Sequence, residues 1–306
     1  MLSRPCVATF GAVNAVELQL LRLLWLVLPF VAGPVFEAAW DDGERSLQLG
    51  GGILLWVAWG ALLITLMVPR TETLSIIRVG IPAALPLVLW AVLAGGSDAD
   101  AVFVALSAAI AAVCGLFAWR APIGDAFVDG SSYGDERRFL LRTPGALAIG
   151  PLFVVCAVIV AGLTVGPVLL LAQRWVVGAI LLAIGLPAAW SAGQALHRLS
   201  QRWLVFVPAG VVVHDKTALR EPQLFRVEDV ATFGPAPADA AELAEDLTLG
   251  SMGLVLQAAL GSTQKIIRNG QDGELSTTEI GSFLVAPARP GAVVTEAIAR
   301  GFATGS

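Results

Sequence analysis

The sequence predicts a two-part protein: an α-helical polytopic membrane domain with six transmembrane helices over residues 1–196, then a small β domain over residues 197–306. Three observations predict it. Of the 306 residues, 57% are hydrophobic and 14% charged, where soluble domains average roughly 45–50% and about 25%. The apolar excess is concentrated before His197, in six runs long enough to cross a bilayer, which takes about 20 residues each. After His197 the pattern changes to short β-branched and aromatic runs separated by Gly, Pro and Asp.

The same figures exclude several classes of function. With 19 Lys and Arg plus 24 Asp and Glu, and a mean hydropathy of +0.78, the chain has too little polar surface for a soluble enzyme or a secreted globular domain. A net charge of −5 without a basic face argues against a nucleic-acid partner. The partner it does imply is the lipid bilayer.

The six predicted spans are residues 18–40, 51–69, 76–95, 101–119, 145–172 and 175–196. Turn residues separate them: 41–45, 70–73, 95–98 and 173–174 are short breaks, and 121–144 is the one long break. The first run is longer than a signal-peptide core of 7–15 residues and has no small-residue cleavage site after it, so it is kept as a helix. Orientation follows the arginines, because positive residues in short loops stay cytoplasmic. Arg4, Arg70, Arg78, Arg120, Arg137, Arg138, Arg142, Arg198 and Arg202 fall on one side, and Arg45 and Arg174 on the other. Both termini are therefore expected in the cytoplasm, with the protein in the plasma membrane.

Trp40, Trp119 and Trp175 sit at helix ends as interfacial anchors, and Trp25, Trp56, Trp59 and Trp90 lie deeper, where they pack against neighbouring helices. Prolines recur in alternate spans, at Pro29, Pro34, Pro82, Pro86, Pro151 and Pro167. They are read as packing kinks, and broken helices around a transport site are the alternative. Gly162 and Gly166 form a GxxxG pair suited to close helix approach. Glu17, Arg22 and Glu37 lie toward helix ends, and no acidic or basic side chain falls mid-span between residues 46 and 196, which argues against a charge-lined ion pathway. Cys114 and Cys156 lie in apolar runs and read as small hydrophobes, and a lone Cys6 is at most a weak acylation signal.

The long inner break, residues 121–144, carries Asp125, Asp129, Asp135 and Glu136 against Arg137, Arg138 and Arg142. Asp125 and Asp129 are four apart, so on a helix they would share a face and could hold a divalent metal with a phosphate-bearing substrate. Lipid-phosphate transferases of the CDP-alcohol class use aspartates in that spacing. The sequence departs from their pattern: Ser131, Ser132 and Tyr133 follow Gly130 where that class has an Ala-Arg pair. Gly124, Gly130 and Gly134 also weaken a helix here. The segment is read as a solvated or interfacial loop, with Arg137, Arg138 and Arg142 meeting lipid phosphates or the β domain.

In the C-terminal part, residues 203–207 and 211–213 make a hairpin around Pro208, Ala209 and Gly210. Residues 224–227, 230–233, 246–249, 254–260 and 280–285 are further strands, 263–268 a possible eighth, and 269–273 a turn. Pro290 and Gly301 punctuate a final amphipathic helix around 293–298. The hairpin from Arg202 to Asp215, the run Phe225 to Val230, and the stretch Phe283 to Glu296 resemble bacterial pleckstrin-homology-like (PH-like) domains. The whole chain resembles uncharacterised actinobacterial integral membrane proteins with the same layout. The resemblance implies a PH-like barrel capped by one helix and implies no activity.

From His197 onward nine Lys and Arg face twelve Asp and Glu, so no basic pocket for inositol phosphates is expected. His197 and His214 have no Cys or His neighbours and read as surface or cap residues. No catalytic residue, cofactor or metal ligand is assigned. The expected function is a non-enzymatic membrane scaffold or accessory protein whose PH-like domain contacts a protein partner or a second copy. The alternatives are a small-solute or lipid transporter using the proline-kinked helices, and a membrane enzyme acting on lipid phosphates through Asp125 and Asp129.

Overall fold

A computed structural model describes residues 5–41, 45–95, 98–148, 150–237, 239–269 and 275–304. Residues 42–44, 96–97 and 270–273 of the predicted turns 41–45, 95–98 and 269–273, together with Arg4 and the side chain of Cys6, lie outside the described residues. Among those described, six helices are long and apolar enough to cross a bilayer, the make-up of a multi-pass membrane protein. They occupy α1 (Pro5–Trp40), α2 (Arg45–Met67), the pair α3 (Thr71–Gly80) and α4 (Ala84–Gly95), α5 (Ala101–Ala118), α8 (Pro151–Leu171) and α9 (Trp175–Ser200). Between α5 and α8 lie α6 (Ala121–Asp129), β1 (Arg137–Leu140) and the single turn α7 (Gly145–Ala148).

The chain divides into two compact units. One gathers Ala15–Ile123 and Phe153–Leu196, and the other Gly124–Leu152 with His197–Ser306 and the N-terminal residues up to Asn14. The boundary expected at residue 197 thus leaves out a piece: the inner segment 124–152 belongs with the β unit.

In the membrane unit, large apolar side chains such as Phe30, Leu93, Phe153 and Val176 are exposed along the helices, as a lipid-facing surface requires. The helix of the third span is interrupted at Ile81, Pro82 and Ala83. Ala83 N donates to Val79 O at 3.2 Å and Ala84 N to Ile81 O at 3.1 Å, so the backbone stays bonded through the interruption. Pro29, Pro34, Pro167 and Pro187 lie inside helices. Pro187 is in the sixth span, so proline does not mark alternate spans only. The GxxxG residues do make the close approach. A Cβ on Gly162 would lie 2.3 Å from Gly185 O, and one on Gly166 2.8 Å from Leu182 Cα, so only glycine lets α8 and α9 meet here.

The β unit holds two four-stranded sheets. The first runs β1-β2-β3-β4, with β2 at Arg202–Val207, β3 at Gly210–Asp215 and β4 at Gln223–Arg226, all antiparallel. The second runs β5-β7-β8-β6, with β5 at Val230–Pro235, β6 at Glu245–Asp246, β7 at Leu256–Asn269 and β8 at Leu275–Val285. The predicted strands 254–260 and 263–268 are one strand, β7, with an irregular register between Ala259 and Gln264. A 310 turn, Val227–Asp229, carries the chain from the first sheet to the second. Isolated bridges, Leu141 with Pro287 and Leu219 with Arg268, tie the sheets together, but they do not close into the expected barrel.

Period-2 alternation builds the core. Leu204 and Phe206 of β2 point inward with Val211 and Val213 of β3, Phe233 of β5, Phe283 and Val285 of β8, and Val293 and Ala297 of α10 (Pro290–Ala299). Phe206 packs edge-on against Phe233 and Phe302, at 6.0 and 5.8 Å between ring centroids. Phe139 and Leu141, from the inner segment, belong to the same core.

Candidate functional site

The ionisable groups singled out in the inner segment meet on one edge of the β unit. A helix does form there, α6, despite Gly124, and it carries Asp125 and Asp129. Asp125 is buried, at 2% exposure. Its Oδ1 accepts the Leu140 amide at 2.9 Å, and its Oδ2 lies 3.8 Å from Arg289 Nη1. Burial pushes the Asp125 carboxyl up to about 7, against the opposing pull of the Leu140 amide and Arg289. Asp129 ends the helix. Its Oδ1 accepts the Arg138 amide at 3.0 Å and the Ser132 hydroxyl at 2.9 Å, while Oδ2 pairs with Arg137 at 3.0 Å. The two carboxylates therefore tie α6 to β1 from successive turns of the helix.

The arginines of the segment are drawn the same way. Arg138 pairs with Glu136 at 3.1 Å, and Arg142 Nη1 donates to Met252 O at 2.8 Å. Backbone bonds extend the strand's reach: Arg142 N donates to Ala286 O and Ala288 N to Leu140 O, each at 2.8 Å. One edge of β1 thus pairs with β2 while the other engages the segment that follows β8.

A second cluster lies at the ends of the β2–β3 hairpin. Arg202 and Asp215 face each other in register, and Arg202 Nε reaches Asp215 Oδ2 at 2.7 Å with both side chains almost wholly buried. Asp215 Oδ1 also accepts the Thr217 amide at 3.0 Å, and Arg202 Nη1 donates to Arg142 O at 2.8 Å. Both carboxylate oxygens and the Arg202 Nε and Nη1 have partners, the condition for tolerating buried charge. Ser251 Oγ donates to Thr248 O at 2.7 Å and lies 3.2 Å from Arg142 O and Thr143 O. Arg202, Asp215, Ser251 and Arg289 were not singled out by sequence reasoning as site residues. The signal for the first pair was present: a two-residue turn at Pro208 and Ala209 sets Arg202 opposite Asp215. His214 stacks on Trp203 at 4.3 Å between ring centroids, and burial, with Lys216 and Arg138 nearby, holds its imidazole below the usual range.

In the membrane unit several polar groups pair with one another. Arg22 donates from Nε and Nη2 to Leu66 O at 3.0 and 2.7 Å, capping the C-terminal end of α2. Trp25 and Trp59 exchange bonds, each indole N–H donating to the other's carbonyl at 3.2 and 2.8 Å. Glu17 pairs with Arg120 at 2.8 Å, and Arg78 lies over the Trp119 ring at 5.0 Å. Among the described residues, no group of three or more His, Cys, Asp or Glu is placed to hold a metal ion.

No protein-family model, curated protein or solved structure matches this chain. The geometry alone therefore carries the functional reading.

Proposed function

We propose that the chain is a non-enzymatic scaffold or accessory protein of the plasma membrane, with both termini cytoplasmic, whose PH-like β unit contacts a protein partner or a second copy. The observation that carries this reading is how the inner segment's charges are used. Asp125, Asp129, Arg137, Arg138 and Arg142 all bond within the β unit and build its framework. Two four-stranded sheets followed by a helix that enters their core support the PH-like assignment. The excess of arginine on one side of the spans supports the orientation.

The test is site-directed photo-crosslinking of the full chain in its native membrane, with the crosslinker at the exposed positions Leu224, Leu243 and Ile267. A discrete adduct at one position, absent at the others, supports a docking role. Uniform lack of adducts, with the protein folded, contradicts it.

A further inference from the structure

The two places where the β unit's chain joins the fifth and sixth membrane spans are bonded to one another, and a single uncharged loop is clamped onto the first of them. Arg202, two residues beyond the end of α9, donates to Arg142 O at 2.8 Å, and Leu141 N donates to Arg202 O at 3.0 Å. From there the chain runs through α7 into α8, which begins at Pro151. Four residues of α7 in helical form and three further steps span at most about 15 Å, so Gly145 lies close to the start of the fifth span.

The clamped loop is residues 247–255, between β6 and β7. Gly145 N donates to Gly250 O at 3.2 Å and Arg142 Nη1 to Met252 O at 2.8 Å, while Ser251 Oγ, 2.7 Å from Thr248 O within the loop, lies 3.2 Å from the carbonyls of Arg142 and Thr143. Gly253 is required at its place. Its φ is +107°, and a Cβ there would strike the Arg142 guanidinium. The clamp leaves Met252 and Leu254 pointing out, at 57% and 53% exposure, with Leu147 of α7 exposed in the same neighbourhood of the chain.

Composition separates this loop from the rest of the β unit's surface. Residues 247–255 carry no charged side chain, and neither do residues 143–172, which run from the clamp through the fifth span. Arg198, two residues before the end of α9, is exposed beside this junction. Exposed apolar side chains with a neighbouring cation, fixed to chain that enters the bilayer, have the chemistry of an interfacial contact.

We infer that Met252 and Leu254 insert into the cytoplasmic face of the bilayer, making the 247–255 loop a lipid-contacting foot of the β unit. Lipid, rather than protein, is the occupant because the loop is bonded to residues 142–145, at the threshold of a membrane span.

The test uses the full chain with Cys6, Cys114 and Cys156 replaced by Ala. Single cysteines are introduced by Met252→Cys, Leu254→Cys and, as a control outside the loop and without a bond to residues 142–145, Leu243→Cys, which is 82% exposed. Each is spin-labelled and reconstituted in phosphatidylcholine and phosphatidylglycerol vesicles. Collisions with oxygen, which partitions into lipid, are compared with collisions with a water-soluble nickel chelate. The inference predicts that labels at 252 and 254 favour oxygen several-fold over the chelate, and that the label at 243 shows the reverse. Labels at 252 and 254 that match the control overturn it. Labels shielded from both reagents also overturn it, because a protein surface or a second copy then covers the loop.

Discussion

Phe139 packs edge-on against Phe206, with ring centroids 5.9 Å apart, although the two residues belong to stretches of chain separated by two membrane spans. The contact places the inner segment within the β unit's core rather than on its surface. Strand β1 pairs with β2 through Arg137 to Leu140, opposite Phe206 to Trp203, and so completes the first sheet. Covalent links to three spans, after α5, before α8 and after α9, follow from the order of the chain.

Truncation of Phe139 tests how much that contact stabilises. Phe139→Ala removes a buried ring and leaves a cavity, a change that costs about 3–5 kcal/mol. Limited proteolysis of the protein in vesicles should then cut within residues 197–306 at lower protease concentration than in the parent. An unchanged cleavage pattern would show that β1 is dispensable.

The buried pair Arg202 and Asp215 should be costly to break from either side. Arg202→Met and Asp215→Asn each leave a buried charge without its partner, at a cost of about 3–5 kcal/mol. The double variant should lose less than the sum, because no uncompensated charge remains. Thermal midpoints of the purified protein, read for both singles and the double, give the coupling.

Asp125 gives a pH dependence with a definite sign. Its carboxyl titrates near 7 in the folded protein, above the unfolded value of about 3.9. Between these values the unfolded chain has lost the proton that the folded one keeps, so stability falls as pH rises from about 4 to about 7 and is level above. The charged groups nearest the carboxyl are Arg289, Asp129 and Arg137. Asp125→Asn keeps the oxygen that accepts the Leu140 amide and removes the proton equilibrium. The thermal midpoint of this variant should decline less across that range than the parent's. Parallel curves would count against a buried, neutral Asp125.

Close approach of α8 and α9 should depend on Gly162. Gly162→Leu places a side chain where Gly185 O leaves no room and should destabilise the membrane unit by about 1–3 kcal/mol. The measurement is the thermal midpoint in detergent, with Gly193→Leu as the comparison, since nothing lies within 4 Å of a Cβ there.

Much of the membrane unit was legible because span length and apolar composition are local properties. The first and fourth spans end at Trp40 and Ala118, at or beside the expected positions. The hairpin at residues 203–213 was equally legible from its turn. The inner segment was not. Arg137, Arg138, Phe139 and Leu140 carry only two apolar residues amid charges, and their partner strand lies 65 residues further on. A four-residue strand has too little pattern to be read without that partner. Strand β7 looked like two because Gly261, Ser262 and Thr263 are exposed, so polarity there marks solvent rather than a turn. Asp125 and Asp129 were recognised as a same-face pair, but a spacing cannot reveal that the donors waiting for them are the amides of Leu140 and Arg138.

The central claim is that the inner segment is part of the β unit, and one comparison tests it most directly. Residues 198–306 alone are set beside the same residues joined to residues 124–148 by a flexible Gly and Ser linker. The account predicts that the joined chain gives a dispersed amide NMR spectrum and a single cooperative melt, while 198–306 alone gives neither. If 198–306 alone is equally dispersed and melts at the same temperature, the claim is contradicted.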